Sequence, residues 1–560
     1  MKKKFIALVA LVFCLCLGLL TGCGLFEINR DRYLERTVAK VDDDIVITKE
    51  DLLLSYNQYA ATLINSYGYT PEQAVEYVID ILINKEVMLR ESKSLFPNLS
   101  DKEKSKLWHD TYDSVNEALA TYEEEVRKDW DIAEEKEEEK EDNSYKPFDK
   151  QANISQNADG VWEVVDIEEE DELKDVVVID GGADKFLSTY RTVTRQDVSD
   201  EALKRYIKDL KENEEGRKFE GENAYSDDAV LTRAINRVHD QLEENMYLTK
   251  LKKHLIDSTA VSADKVLDKY KELVLEDYNK YSVDPDAFAK DILESADGIY
   301  YVPEKYQGKF FYVSHFLIKF NEEEQTEVDD LKKQLEDGYI TQAEYDAGVA
   351  LITSNMKVNK VVDGEKTDEK ITIAELMAAL NSATAGKSEQ EKAKIFNDYI
   401  YMYNEDTAFN NSEFGYVIGD NESKMVESFT NASRELHRPN DDDKSVLGKV
   451  GDLSAPVPSE YGVHFIMYCG EVENIFGITS SNVNEFNLVN ADIKTLSDTL
   501  LYACNNKSVF DKVYADVFSD QYSIFESSYV KQLKQDLKIK IYKKSYKDLL
   551  GWWRRKKMKL

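Results

Sequence analysis

Proline is scarce in this chain, 8 residues in 560 against a usual share near 5%. Collagen-like, mucin-like and Pro-rich linker architectures are thereby excluded, and long helices with few breakers are expected. Cysteine is rarer still at 5, too few for a disulfide framework. The 6 histidines include no HxH or HExxH spacing, so no metal site is expected. No GxxxxGK[ST], GxGxxG or GxSxG occurs, which removes the usual signatures of nucleotide cofactors and of serine hydrolases. No cofactor is expected. Positive charge is also short: 72 Lys+Arg face 109 Asp+Glu, a net −37. Such a chain repels phosphate, so nucleic acid is not an expected partner.

What is present is enough apolar residue, 42%, to build real cores, in three or four structural units on length alone. The amino terminus reads MKKKFIALVALVFCLCLGLLTGCG. Lys2, Lys3 and Lys4 precede an apolar run from Phe5 to Leu20, shorter than the ~20 residues that span a bilayer. Leu20-Thr21-Gly22-Cys23 resembles the bacterial lipobox, which implies cleavage after residue 22 and lipid on Cys23. The chain is then exported and held at the extracytoplasmic face of a membrane. Cys14 and Cys16 leave with the signal, and Cys469 and Cys504 remain as the one pair that could bridge.

Thr48 with Asp51, and Thr70-Pro71 with Gln73, are helix starts. The second opens a helix whose Val75, Val78, Ile79 and Leu82 make a half-buried stripe. Residues 123–142 hold twelve acids and four bases, and the stretch 121–197 is expected to be a solvated, mobile insertion. Helix resumes near Val198, with Ser199 as its cap, and again at Val261-Ser262. KFFYVSHFLIKF from Lys309 has the aromatic and branched composition of a strand. Residues 321–390 are polar and helical, and the region after 480 is helical again. The fold class is α+β, mostly helical, with one β-containing unit near 308–470.

Two histidines stand in strand contexts, His315 in VSHFLI and His464 in YGVHFIM. VSHFLIKF, YNEDTAFNNSEFGYV, MVESFTNASREL and VGDLSAPVPSEYGVHFIMY follow one another as blocks do in parvulin-type peptidyl-prolyl isomerases. The stretch 38–92 resembles the matching chaperone domain. Lipobox, chaperone domain and parvulin unit together are similar to the PrsA-type foldase lipoproteins, and more loosely to SurA-type chaperones.

That resemblance implies a helical chaperone domain with an inserted parvulin-like β-α3-β-α-β2 isomerase domain. It divides the chain into a signal peptide (1–22), a tether (23–37), chaperone parts at 38–120 and 198–305 around the acidic insertion, a parvulin-like domain (306–472) and C-terminal helices with a basic tail (473–560). His315 and His464 would form a paired-imidazole floor. Asp406 would take the family's acidic or cysteine position. Met425 and Phe429, at i, i+4 on one helix face, would line a proline socket with Phe414 and Tyr416 beside it. Unfolded exported proteins would be the partners. The alternatives are a holdase with a degenerate parvulin unit, and a solute-binding or adhesive surface lipoprotein.

Residues 528–560 carry twelve Lys/Arg and two acids and end GWWRRKKMKL, a Trp pair beside a cationic cluster that suits either an anionic membrane surface or a tail folded back onto the acidic body. Deleting residues 551–560 is expected to weaken co-sedimentation of the unlipidated protein with anionic vesicles. Undiminished binding would count against this role for the tail.

Overall fold

A computed structural model describes residues 30–130, 153–166, 173–190, 196–214, 217–221, 223–294, 298–362, 365–406, 415–438, 447–483, 492–505 and 507–549. Cys23, Phe414 and the terminal residues 551–560 lie outside them. The protein is α+β and mainly helical, with small antiparallel sheets. It forms two compact units, one of residues 1–139, 170–260 and 521–560, the other of residues 140–169 and 261–520.

The first unit opens with α1 (Arg30–Leu34), β1 (Thr37–Val41) and β2 (Ile45–Thr48), then α2 (Lys49–Asn65), α3 (Pro71–Leu95) and α4 (Asp101–Asp129). The Thr48–Asp51 and Thr70–Gln73 capping boxes both close as the sequence predicts, each satisfying otherwise orphaned N–H groups. A C-terminal strand at Ile539–Ile541 pairs with β1, so the sheet draws on both ends of the chain. Val38, Val41 and Ile47 of this sheet pack on Leu52 and Tyr56 of α2 and on the α3 stripe, together with Tyr546 and Leu549. Lys49 is 0% exposed. Its ammonium is 2.7 and 2.6 Å from the two carboxylate oxygens of Asp548 and sits over the Tyr33 ring. A cation that deep is tolerated because it is paired.

The rest of this unit is α4 bundled with α5 (Ala183–Tyr190), α6 (Gln196–Asn213) and α7 (Asp227–Asp257). Here the structure differs from the sequence expectation. Residues 121–129 continue α4 rather than opening an insertion, because Tyr122 and Val126 extend the buried row of Val115 and Leu119. Ser199 is no cap: α6 starts at Gln196, and the buried Ser199 hydroxyl donates to Glu123 at 2.9 Å.

The second unit contains the hairpin β3 (Asn153–Gln156) and β4 (Trp162–Asp166), α8 (Ala263–Val283), α9 (Pro285–Glu294) and β5 (Phe310–Lys319). Next come α10 (Glu322–Glu336), α11 (Gln342–Asn355), β6 (Lys357–Val362), β7 (Glu365–Thr372), α12 (Ile373–Thr384) and α13 (Glu389–Tyr403). Then follow β8 (Tyr416–Gly419), α14 (Glu427–His437), β9 (Val457–Ser459), β10 (Gly462–Glu471), α15 (Ile493–Asp498) and the start of a last helix, Val509–Lys534. The sequence placed α8 and α9 with the chaperone half. Instead Tyr281, Phe288 and Ile292 pack on Phe310 and Val417 of the sheet. The β6–β7 hairpin within 321–390 was also unexpected, although the Asp363-Gly364 dipeptide between its strands is a strong hairpin signal.

The central sheet runs β8-β5-β10-β9 with every pair antiparallel. Side chains alternate across it. Phe316, Ile318, Phe465 and Met467 face α10 to α13, while Phe311, Val313, Ile466 and Tyr468 face α14. Gly462 opens β10 at φ 137°, where a Cβ would lie 2.0 Å from the Ile318 carbonyl oxygen. Only glycine allows that approach.

Truncation after Gln535 would strip β1 of its outer neighbour and remove Tyr546 and Leu549 from the first core. At ~2–3 kcal/mol for each buried large side chain, the truncated protein is expected to unfold at markedly lower urea. An unchanged first-unit midpoint would contradict this.

Candidate active site

The β5–β10 register sets Ile466 opposite His315 and His464 opposite Leu317. The two histidines are therefore diagonal neighbours on the face that looks toward α14. Their Nδ1 atoms are 3.5 Å apart and their ring centroids 5.4 Å. Phe429, the third residue of α14, presents an edge to both imidazoles at 5.1 and 5.2 Å. Tyr416, the first residue of β8, stacks on His315 at 5.0 Å.

Asp406 reaches His315 from beyond the sheet. β8 pairs with β5 only as far as Val313, which leaves the outer edge of β5 open past that point. Residues 404–406 take this edge. The Asn404 side-chain oxygen accepts from the N–H of Leu317 at 3.0 Å and from that of Asp406 at 3.1 Å. The Glu405 N–H donates to the Leu317 carbonyl at 2.9 Å, and its carboxylate accepts from the Lys319 N–H. Held in this way, Asp406 Oδ2 lies 3.3 Å from His315 Nε2 and accepts from the Tyr416 hydroxyl at 3.2 Å. At the other end Ser459 Oγ is 2.9 Å from His464 Nε2.

These contacts have a direction. An ionised carboxylate can only accept, so His315 Nε2 carries a proton and its Nδ1 is bare. His464 Nδ1–H then donates to His315, and the bare His464 Nε2 accepts from the Ser459 hydroxyl. One tautomer sequence, Ser459 to His464 to His315 to Asp406, is consistent with these distances. Both rings are neutral. Burial lowers the His315 pKa, with Asp406 opposing. Burial, reinforced by His315 and opposed by Asp406, brings His464 down to about 3. Burial followed by the Asp406 charge pushes the Tyr416 phenol above its ordinary range.

Five of the residues named from the sequence therefore converge: His315, His464, Asp406, Tyr416 and Phe429. Met425 is half-buried in the same apolar cluster but is not on the helix face expected. α14 begins at Glu427, so Met425 lies just before it, its N–H donating to Ser423 Oγ at 3.0 Å. Phe414 is outside the described residues.

Sequence reasoning missed Ser459, Asn404 and His437. The Ser459 signal was its place five residues before His464 across a tight strand return. Asn404 carried none, since its amide acts as a substitute strand. His437 is buried between Phe311 and Tyr468, with Asp420 Oδ1 3.2 Å and Glu471 Oε1 3.0 Å from its two nitrogens. It ties α14 to the sheet from behind the site. Cys469 and Cys504 are both buried free thiols, and burial together with the neighbouring Cys504 raises the Cys469 pKa.

No protein family and no curated protein matches this sequence.

The depressed His464 value links the site to stability. Between a folded value of about 3 and an unfolded one near 6.5, the unfolded chain binds the extra proton. The stability present above pH ~6.5 is lost as pH falls toward the folded value. The unfolding free energy of the parent, relative to His464→Gln, is expected to fall below pH ~6 by at most about 1.4 kcal/mol per pH unit. A flat difference from neutral pH down to ~4.5 would contradict the buried neutral imidazole.

Proposed function

We propose that this chain is a parvulin-type peptidyl-prolyl cis-trans isomerase joined to a client-binding helical unit, in the manner of PrsA-type foldase lipoproteins. The observation that carries the proposal is the His315–His464 pair on one sheet face, bounded by Asp406 and Ser459 and covered by Phe429 and Tyr416. The connectivity supports it. A strand, four helices interrupted by the β6–β7 hairpin where the resemblance implies three, a second strand, one helix and two final strands keep the strand and final-helix order of β-α3-β-α-β2.

The chemistry needed is modest in bonds and demanding in environment. An X–Pro amide resists rotation because resonance gives its C–N bond double-bond character, a barrier of roughly 18–20 kcal/mol. The planar amide is the more dipolar form. A site that takes it out of water into aromatic surroundings destabilises that ground state more than the twisted one. Met425, Phe429 and Tyr416 supply such a wall. The neutral histidine chain adds fixed dipoles without a buried net charge, and Asp406, 23% exposed, sets an ionised carboxylate at the rim. The acidic turn Asn321-Glu322-Glu323-Glu324 after β5 disfavours phosphorylated substrates by repulsion. Export and lipid attachment at Cys23 place the enzyme where secreted chains emerge.

A holdase whose isomerase-like unit binds without turnover draws on one observation, the 1% exposure of Phe429, which leaves this ring as much core as socket.

Relaxation of a short X–Pro peptide after a solvent jump separates the two. The parent is expected to accelerate it. His464→Ala, His315→Ala and Asp406→Ala are each expected to lower kcat/KM at least tenfold with the thermal transition retained. Absence of turnover in the parent would leave the holdase.

A further inference from the structure

Residues 173–182 of the first unit run against α4 as a turn at 173–175 followed by a stretch without helix or strand, and the side chains of α4 hold them by their main chain. Lys102 Nζ donates to the carbonyls of Leu173 and Lys174 at 2.9 and 3.2 Å. The Ile179 N–H donates to Ser105 Oγ at 2.9 Å, and the Gly182 N–H donates to the Tyr112 hydroxyl at 2.7 Å. That hydroxyl donates back to the Gly182 carbonyl at 3.0 Å. Between them Gly181 lies against Trp108, whose ring is also 4.1 Å, centroid to centroid and tilted by 35°, from His239 of α7. A Cβ on Gly181 would fall 2.2 Å from the indole.

The spacing explains why the two chains fit. Ser105 and Tyr112 are two helical turns apart, about 10.5 Å along α4. Ile179 and Gly182 are three residues apart, a separation that extended chain spans in about 10 Å. Helix and extended chain therefore come back into step, and a main-chain group meets a side-chain partner at each coincidence. The hydrogen bonds all engage the segment's main chain, while Val176 and Ile179 are half-buried. Val177 and Val178 point outward, 71% and 60% exposed. Phe186, in the bundle core beyond Gly182, anchors the segment's far end.

We propose that this strip of α4 (Lys102, Ser105, Trp108 and Tyr112) is a binding site for extended polypeptide, occupied in the resting protein by the chain's own residues 173–182. Its ligand is an extended backbone with a glycine over Trp108. The site is separate from the histidine pair and does not depend on isomerase activity. A tethered occupant acts at an effective concentration of ~mM, so the strip is closed to weaker competitors until the segment lifts.

The test uses the full chain and a fluorescein-labelled peptide of residues 173–183, read by anisotropy, with amide hydrogen exchange as a second readout. Gly181→Val strikes the indole, and Ile179→Pro removes the N–H that Ser105 accepts. Each is expected to deprotect residues 173–182, leave α4, α6 and α7 protected, and bind the peptide at least tenfold more tightly than the parent. Adding Ser105→Ala and Tyr112→Phe is expected to return binding to the parent level, and a peptide with valine at the Gly181 position is expected not to bind. No gain in either variant, a gain that survives the added pair, or equal binding of the valine peptide would overturn the proposal. Loss of protection throughout α4, α6 and α7 in both variants would overturn it too, since the segment would then be core rather than occupant.

Discussion

The antiparallel pairing of β5 with β10 is the constraint on which the candidate site rests. The side-chain period of a strand is 2, so a slip of one residue would send both histidines to the opposite face. The far face holds the register. Phe316 and Phe465 are direct partners and stack at 4.4 Å with rings 9° from parallel. Gly462 lets the chain enter β10 close against Ile318, and Ser459 and His464 are brought within hydrogen-bond distance by that same tight return.

Electrostatics follows from this geometry. Two imidazoles in apolar surroundings cannot both take protons, and a proton on one works against a proton on the other. The site resolves this by holding both neutral and passing hydrogen-bond polarity toward one partly exposed carboxylate. The result is a polar floor with little net charge under an aromatic cover, which suits an amide that must lose its dipole to rotate. It would suit a charged intermediate poorly.

Local chemistry was legible in the sequence and long-range pairing was not. Thr48, Thr70 and Gln73 act within a few residues of themselves, so their caps could be read directly. His315 and His464 stood out as polar residues in strand-like runs, and resemblance to parvulins joined them before any pairing was known. Asn404 and the C-terminal strand could not be found this way, because each completes an edge supplied by residues far away in the chain. Ser199 was misplaced because a serine ahead of an apolar row looks the same whether a helix starts there or three residues earlier. The acidic stretch misled for a related reason: solvent-facing acids hid the buried row of Val115, Leu119, Tyr122 and Val126.

The net charge of −37 also divides by place. Part of the basic C-terminal segment folds into the first unit, where Lys534 meets Asp80 and Lys543 meets Glu76. The remaining chain therefore carries the whole acidic surplus, a like-charge excess that opposes self-association. The central claim, that the paired histidines floor a prolyl isomerase, is met most directly by equilibrium exchange NMR on an X–Pro peptide. Cis–trans exchange cross-peaks on a subsecond scale with catalytic amounts of the parent, and none with His315→Ala or His464→Ala, are the predicted result. Exchange no faster than the tens to hundreds of seconds of the free peptide would contradict it.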